Sequence, residues 1–202
     1  MNGSMNDALT VAAVQGVEEA DANVIFADVN TVGKVVEPKW LTPQFENIPD
    51  ELKQQPWAVW KAEPRPGKSG KYNKAPRCPK GGHKIGTNQP EKFGTFAEAE
   101  AAYRAGGYTG VGMLLTGSGI IGVDIDDYKA TFLAKPEVRA WVVQALKDGA
   151  YCEKSPSRSG LRLFMAGRLP GTGRKSGSLE IYDDVRFFTV TGRPLGSMKG
   201  GE

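Results

Sequence analysis

The sequence contains little cysteine and histidine, with two cysteines and one histidine among 202 residues. Cys78, Cys152 and His83 cannot fill a four-ligand structural zinc site by themselves, and two cysteines do not form a disulfide framework. A catalytic triad is disfavoured because the histidine lies in a basic loop. The sequence also lacks a P-loop motif, a signal-peptide pattern and any apolar run near the roughly 20 residues that span a bilayer. These absences favour a protein of the reducing cytoplasm with no membrane partner.

Acidic and basic residues are unevenly distributed, although the formal net charge is only +3. Residues 1–40 contain two lysines and six acidic residues, whereas residues 61–92 contain nine lysines and arginines against two glutamates. We predict a flexible acidic tail over residues 1–40, a compact domain over residues 41–195 and a C-terminal tail or linker over residues 196–202. The basic segment suits a polyanionic partner such as nucleic acid or a triphosphate, or is a solvated loop.

Hydrophobic periodicity and turn signals predict a mixture of helices and strands. Helices are predicted at DELKQQP, TFAEAEAAYRAGGY and KPEVRAWVVQALKDG, and Thr95 and Glu98 form a capping box at the start of the second. WAVWK is predicted as a strand with Trp57 and Trp60 in the core, and residues 62–92 as loop or hairpin. Two strands are predicted in each of GVGMLLTGSGIIGVDIDDY, AYCEKSPSRSGLRLFMAG and SLEIYDDVRFFTVTG, the last as a hairpin or strand pair. The alternation indicates an α/β or α+β protein with a largely antiparallel sheet.

The segment GIIGVDIDDY ends an apolar run with three aspartates. Side chains two positions apart on a strand share a face, so Asp124 and Asp126 face one side while Val123 and Ile125 face the core. The two carboxylates, about 6–7 Å apart along the strand, cannot both stay ionised at low cost without a cation between them. This pattern suits Mg²⁺ or Mn²⁺, although the same motif also occurs as a solvated strand end. Asp127 points away from the pair and is interpreted as a turn residue.

Two further motifs bear on such a site. In SLEIYDD, Glu180 faces away from the apolar side chains of its strand, and it would complete a cluster of three carboxylates if that strand lay beside the Asp124 strand. Such a cluster can hold two metal ions for phosphoryl chemistry. The segment SPSRSGLR offers hydroxyl groups, backbone N–H groups and Arg162 to an anion, or forms a polar turn with an exposed arginine.

Taken in order, these motifs resemble the primase-polymerases of phages and mobile elements, a branch of the archaeo-eukaryotic primase superfamily. The resemblance covers roughly residues 45–193, from IPDELKQQPWAVWK through NKAPRCP, FGTFAEAEAAY, GVGMLLTGSGIIGVDIDD and YCEKSPSRSGLRLFMAGRLPG to LEIYDDVRFFTVTG. Each motif alone is weak evidence for the family, but the ordered series of motifs is specific. The resemblance implies an α+β primase-type catalytic core, with an RRM-like antiparallel sheet, flanking helices and a smaller N-terminal α/β lobe.

The resemblance also implies roles for particular residues. Asp124, Asp126 and Glu180 would be the catalytic residues and would bind two Mg²⁺ or Mn²⁺ ions. We call the segment SPSRSGLR, residues 155–162, the Ser/Gly loop. The phosphates of the incoming nucleotide would contact residues of this loop and further basic residues, namely Ser155, Ser157, Gly160, Arg162, Lys74 and Arg186. The implied activity is template-dependent nucleotide transfer that extends primers on single-stranded DNA, with dNTP or NTP substrates and a replicative helicase as a partner in trans or in a longer parent chain. Primer initiation stays open, as does whether the chain is a polymerase core by itself or a fragment.

The Ser/Gly loop departs from the family pattern. The family usually has SPSGxGLH, whereas this chain has Arg158 in place of the glycine and Arg162 in place of the histidine. Arg162 can hold a triphosphate, but it cannot act as a neutral or titrating group near pH 7 as histidine can. The change keeps two other hypotheses open. One is a catalytically weak or inactive replication module that binds nucleotide or DNA, and the other is a metal-dependent nuclease that uses the same carboxylates.

Overall fold

The computed structural model describes residues 39–195. The predicted tails therefore lie outside the described residues, except for Lys39 and Trp40. Trp40 packs edge-on against Trp60, with ring centroids 5.7 Å apart. It also packs against Tyr72 at 5.2 Å. The packed part of the chain thus begins no later than Trp40.

The described residues form four α-helices and eleven β-strands, most of them short. The helices are α1 (Asp50–Lys53), α2 (Phe96–Arg104), α3 (Tyr128–Ala134) and α4 (Pro136–Lys147). The strands are β1 (Trp57–Trp60), β2 (Glu63–Pro64), β3 (Tyr72–Asn73), β4 (Pro76–Arg77), β5 (Gly110–Leu114), β6 (Ile120–Ile125), β7 (Tyr151–Lys154), β8 (Leu161–Ala166), β9 (Arg174–Ser176), β10 (Leu179–Tyr182) and β11 (Phe187–Val190). In this part of the chain, no helix has the length and apolar character needed to cross a membrane.

The strands form two antiparallel sheets and a small hairpin. The four-stranded sheet has the order β11-β5-β1-β4, and the five-stranded sheet has the order β7-β8-β6-β10-β9. β2 and β3 form the hairpin, within the segment predicted as loop or hairpin. Helices combined with antiparallel sheets confirm the α+β class at this level.

Local sequence explains the main elements. All four residues of β1 are buried, and Trp57 and Trp60 are core residues as predicted. α2 begins at the predicted capping box, where the Glu98 N–H donates to Thr95 Oγ1 at 3.3 Å and the Thr95 N–H donates to Glu98 Oε2 at 2.9 Å. The helices predicted from the other two segments are α1 and α4, and Pro136 is the first residue of α4.

Helices cover one face of the five-stranded sheet. α3 and α4 pack on the face that carries Val123 and Ile125 of β6. The opposite face packs toward the four-stranded sheet, where Phe164 of β8 and Phe188 of β11 share a second hydrophobic core with α2. Because side chains alternate along a strand, Asp124 lies on this second face, between the two sheets.

Two pairs of strands that are adjacent in sequence lie in different sheets. β5 and β6 are both present, as predicted, but they do not pair with each other. β10 and β11 do not pair either, so the hairpin or strand pair predicted around Asp183 and Asp184 was wrong. The reason is packing: Leu179 of β10 is buried in the helix-covered core, whereas Phe188 and Val190 of β11 are buried in the other core. α3 and β9 were not predicted.

Candidate active site between the two sheets

Five charged residues occupy one row across the five-stranded sheet. The register pairs Glu153 of β7 with Arg162 of β8, and Arg162 with Asp124 of β6. Asp124 pairs in turn with Glu180 of β10, and Glu180 with Lys175 of β9. Directly opposed residues of an antiparallel sheet point to the same face, so all five belong to the face that looks toward the four-stranded sheet. We call these five residues the charged row.

Two of the three predicted catalytic carboxylates, those of Asp124 and Glu180, lie side by side in the middle of the charged row. Asp124 and Glu180 are cross-strand partners, which confirms the condition that the two strands are neighbours. β6 ends at Ile125, and Asp126 lies just beyond it, where its N–H donates to the Ser178 carbonyl at 2.8 Å. The side chains of Asp124 and Glu180 are each 24% exposed, so both remain accessible to solvent.

Cations engage two of these carboxylates. Arg162 Nη2 donates to Asp124 Oδ2 at 3.3 Å, and Lys175 Nζ donates to Glu180 Oε1. Within residues 39–195, no three histidine, cysteine, aspartate or glutamate side chains are grouped closely enough to hold one metal ion. The donor set still has the right chemistry, because carboxylate oxygens are the ligands that Mg²⁺ and Mn²⁺ prefer. Metal binding would require the carboxylates to move together and Lys175 to leave Glu180.

The ionised form of the Asp126 carboxyl is disfavoured by its surroundings. Partial burial of its carboxyl and, after it, the negative charge of Asp124 raise the pKa of Asp126, although the residue as a whole is exposed. A cation between the carboxylates would relieve this repulsion. The next residue, Asp127, has a left-handed φ of 43° and makes no capping hydrogen bond to α3. It therefore lies in the turn, as predicted.

Arg162 bridges the two sheets. Its Nη1 donates to the carbonyl of Thr189 on β11 at 2.8 Å and contacts the Thr189 hydroxyl. The guanidinium also lies 5.5 Å from the ring centre of Phe188. The residue is only 8% exposed, and its buried Nε–H has no hydrogen-bond partner in the described part of the chain. Arg162 thus belongs to the site, but contacts within the protein hold most of its donors.

Lys74 reaches the same site from the segment before β4. Its Nζ lies 5.4 Å and 5.9 Å from the ring centres of Trp40 and Trp60. Burial and, after it, the charge of Arg162 lower the pKa of Lys74 to about 8, while the Asp124 carboxylate acts in the opposite direction. The structure therefore brings this predicted phosphate-binding residue close to the charged row.

The Ser/Gly loop joins β7 to β8 beside the carboxylates. Ser155 is buried, and its Oγ accepts the Gly160 N–H at 3.1 Å. A Cβ at Gly160 would lie 2.8 Å from the carbonyl oxygen of Ile125, so only glycine lets the loop pack on the end of β6. Ser157 and Ser159 are exposed, with their hydroxyl oxygens 3.1 Å apart. Ser155 and Gly160 thus maintain the loop, and the other two hydroxyl groups are presented to solvent.

Arg186 lies farther along the same face. Its Nη2 donates to the Tyr182 hydroxyl at 2.7 Å, and its guanidinium lies 4.0 Å from the centre of that ring. Tyr182 shares a face with Glu180 and pairs with Gly122 of β6. Arg186 therefore approaches the sheet at the end of β10 that is remote from Asp126.

Glu153 was not predicted from the sequence to belong to this site. This residue is 0% exposed, and its carboxylate accepts the N–H groups of Thr191 and Gly192, both at 2.8 Å, and the Tyr151 hydroxyl at 3.0 Å. Burial outweighs these hydrogen bonds and raises the pKa of Glu153 to about 7. The available signal was the alternation in YCEK, which places Tyr151 and Glu153 opposite the core residue Cys152. Lys175 was missed as well, because its strand was not predicted.

The chain is similar to a protein named DNA Primase-polymerase from the Nitratiruptor phage NrS-1. The two sequences are 32% identical over 145 residues, which is 67% of this chain and 19% of the length of the relative. The chain thus spans only a small part of that protein. No family model matches the chain. The similarity confirms the resemblance to phage primase-polymerases that the motifs predicted.

Proposed function

Because the chain is a homologue of a phage primase-polymerase, we propose that it is a template-dependent nucleotidyltransferase that extends primers on single-stranded DNA. One observation carries the proposal: Asp124 and Glu180 oppose each other in mid-sheet, with Asp126 at the strand end. These three carboxylates would be the catalytic residues. The place of action would be the cytoplasm of a bacterial or phage-infected cell, with a helicase supplied in trans or by a longer parent chain.

We propose that the three carboxylates hold Mg²⁺ or Mn²⁺. When bound, such ions activate the primer 3′-hydroxyl and neutralise charge on the triphosphate. Lys175 can leave Glu180 at low cost, because its side chain is 55% exposed and exposed ion pairs contribute about 0–1 kcal/mol. Arg162 contacts Oδ2 of Asp124, and a carboxylate has a second oxygen that can serve as a ligand.

The phosphates of the nucleotide would meet cations and hydroxyl groups that surround the carboxylates. Lys74 is half-buried, and a triphosphate beside it would favour its charged form. Ser157 would donate its exposed hydroxyl from the Ser/Gly loop. Arg162 would contribute its fixed positive charge, and Arg186 would contribute at longer range. Neither arginine can supply the titrating group that the family histidine provides.

The β2–β3 hairpin would contact the backbone of the template. Its loop exposes Arg65, Lys68 and Lys71, and the strand ends next to Lys74. Cations of this kind bind successive phosphates without reading sequence, and their contribution weakens as salt concentration rises. The hairpin would therefore contribute affinity for DNA more than specificity.

The test is nucleotide incorporation by the purified chain. The reaction contains a single-stranded template and labelled dNTPs or NTPs, with and without a primer, in Mg²⁺ or Mn²⁺. We expect metal-dependent primer extension by the wild type and none by Asp126→Ala, with both proteins equally folded by circular dichroism. Extension by Asp126→Ala at the wild-type rate would refute the carboxylate assignment, and DNA cleavage without nucleotides would indicate a nuclease.

A second candidate function is a binding module with weak or no catalysis. Arg162 supports it, because Thr189 and Asp124 hold a residue that replaces the family histidine. Nucleotide or DNA binding without incorporation in either metal would support this candidate. Incorporation that improves in Arg162→His would instead support a polymerase weakened by the substitution.

A further inference from the structure

A polar cavity lies beside the Ser/Gly loop, with a volume of about 520 Å³. The segment after Trp40, the start of α3, the end of β7 and the residues after β11 form its walls. Four cationic side chains line it, from Lys129, Lys154, Arg158 and Arg193. Among the described residues, no acidic side chain takes part in the lining.

This cavity is separate from the charged row. Lys154 is the cross-strand partner of Leu161, and Leu161 belongs to the helix-covered core. Lys154 therefore lies on the opposite face of the sheet from Glu153 and Arg162. Lys129 lies in α3, which packs on that same opposite face. Two of the four cations, Lys129 and Lys154, are thus on the other side of the sheet from the carboxylates of the charged row.

The segments that carry the four cations are fixed to one another by hydrogen bonds. The Lys154 N–H donates to the Arg193 carbonyl at 2.9 Å, and Arg193 Nε donates to the Thr42 carbonyl at 3.1 Å. The Leu41 N–H donates to the Pro156 carbonyl of the Ser/Gly loop at 2.9 Å. The walls of the cavity therefore form one connected frame, and binding would require little ordering of the backbone.

Arg158 has a backbone conformation that glycine would adopt more easily. Its φ is 67°, in the left-handed region that a residue with a Cβ occupies only with strain. A residue kept in such a conformation suggests a functional use of its side chain. Here the side chain lines the cavity and adds a cation to it.

We propose that this cavity binds an oligophosphate, meaning closely spaced phosphate groups of a nucleoside polyphosphate or of a single-stranded nucleic acid. A concave surface lined by cationic side chains concentrates positive potential and attracts an anion. Lys154, Arg158 and Arg193 are partly buried, which strengthens their attraction for phosphate oxygens relative to fully exposed cations. The inference does not rest on the proposed polymerase activity, and it needs no divalent metal.

The test is calorimetric titration of the full chain with inorganic tripolyphosphate in EDTA. Without metal, the carboxylates of Asp124, Asp126 and Glu180 repel this anion, so the cavity would supply the binding. We expect Lys129→Ala/Arg158→Gly to weaken binding about tenfold or more, because two charge-assisted contacts are lost. Glycine suits φ 67° and alanine is a strong helix former, so this variant is expected to stay folded. Lys147→Ala, which removes a cation outside the cavity, should leave the affinity unchanged.

Two further titrations identify the source of the phosphates. If ATP displaces tripolyphosphate while a single-stranded oligothymidylate does not, the ligand is a nucleotide. If the oligothymidylate binds and the double variant flattens its salt dependence, the ligand is a nucleic-acid backbone. Absence of tripolyphosphate binding by the wild type would overturn the proposal. So would binding that Lys74→Ala abolishes and the double variant retains. Loss of nucleotide incorporation alone would count only against the proposed function.

Discussion

Glu153 and Glu180 lie in the same charged row, but their two carboxylates have opposite surroundings. Glu153, on the edge strand β7, is 0% exposed and accepts hydrogen bonds from two backbone N–H groups and from Tyr151. Glu180 has a side chain that is 24% exposed and contacts Lys175, whose own side chain is 55% exposed. Two strands lie between these two acids in the sheet.

This difference separates an acid that serves the fold from one that is available to a ligand. The donors around Glu153 belong to the residues that follow β11 and to β7 itself, so no exchange of partners is open to it. The partner of Glu180 is an exposed surface lysine, and a surface ion pair is easily exchanged for a metal ion. The role of an acidic residue within a sheet, structural or ligand-binding, therefore depends on the hydrogen-bond donors that surround it.

The largest effect is expected for Asp126→Asn, because Asp126, like Glu180, is one of the solvent-accessible carboxylates proposed to bind metal. Nucleotide incorporation should fall at least about a hundredfold, because an amide is a weaker ligand for a hard cation and carries no charge. The free energy of unfolding should change by less than about 0.5 kcal/mol, since the residue is exposed. Single-turnover primer extension and urea denaturation measure the two quantities. Asp148→Asn, at the exposed end of α4, is the matched control, and equal activity of the two variants would contradict the assignment.

The opposite pattern is expected for Glu153→Ala. The substitution leaves two buried backbone N–H groups and the Tyr151 hydroxyl without an acceptor, so the free energy of unfolding should drop by about 3 kcal/mol. Glu153→Gln should lose about 1–3 kcal/mol, because an amide nitrogen cannot accept the N–H that one carboxylate oxygen accepts. Urea denaturation measures both values, with the exposed Glu137→Gln as control. If Glu153→Gln abolished incorporation while remaining fully stable, Glu153 would belong to the catalytic group.

Short-range patterns made much of the site predictable. The alternation in GVDID placed Asp124 on the face opposite Val123 and Ile125, and the alternation in SLEIY did the same for Glu180. Whether Asp124 and Glu180 are adjacent depends on the pairing of β6 with β10, which the local sequence pattern does not determine. The capping box of α2 was predictable because both partners lie within one helical turn.

The missed features depend on contacts between distant segments. Glu153 is satisfied by N–H groups 38 and 39 residues away in the chain. Gly192 supplies one of them at a φ of 61°, where a Cβ would lie 1.9 Å from the Gln44 carbonyl oxygen, so no larger residue fits. The assignment of β10 and β11 to different sheets likewise reflects which core buries each strand, and adjacent strands in sequence more often pair. None of these contacts leaves a local periodicity to detect.

A smaller effect is expected in the pH dependence of stability. Burial raises the pKa of Glu153 from an ordinary value of 4.5 to about 7, so the folded state takes up this proton more readily than the unfolded state. The stability that protonation contributes is fully present below pH 4.5 and is lost as pH rises through about 7. The wild type should therefore gain on the order of 2 kcal/mol relative to Glu153→Gln between about pH 8 and pH 5. Urea denaturation across this range measures the difference, and a constant difference would show that Glu153 does not titrate there.

The smallest effect is expected for Lys175→Ala, which tests how readily Glu180 exchanges its partner. Lys175 must leave Glu180 before a metal ion can bind, and an exposed pair of this kind contributes up to about 1 kcal/mol. Removing the lysine should therefore tighten Mn²⁺ binding about two- to fivefold, because the metal ion no longer competes with the lysine for the Glu180 carboxylate. Titration of Mn²⁺ monitored by electron paramagnetic resonance measures the affinity without DNA or nucleotide, and Lys147→Ala is the control. In a Glu180→Gln background the same substitution should have no such effect, because the competition is gone. Weaker Mn²⁺ binding by Lys175→Ala would mean that the lysine organises Glu180 for the metal, and the accessible acid would then be as dependent on its neighbours as Glu153 is.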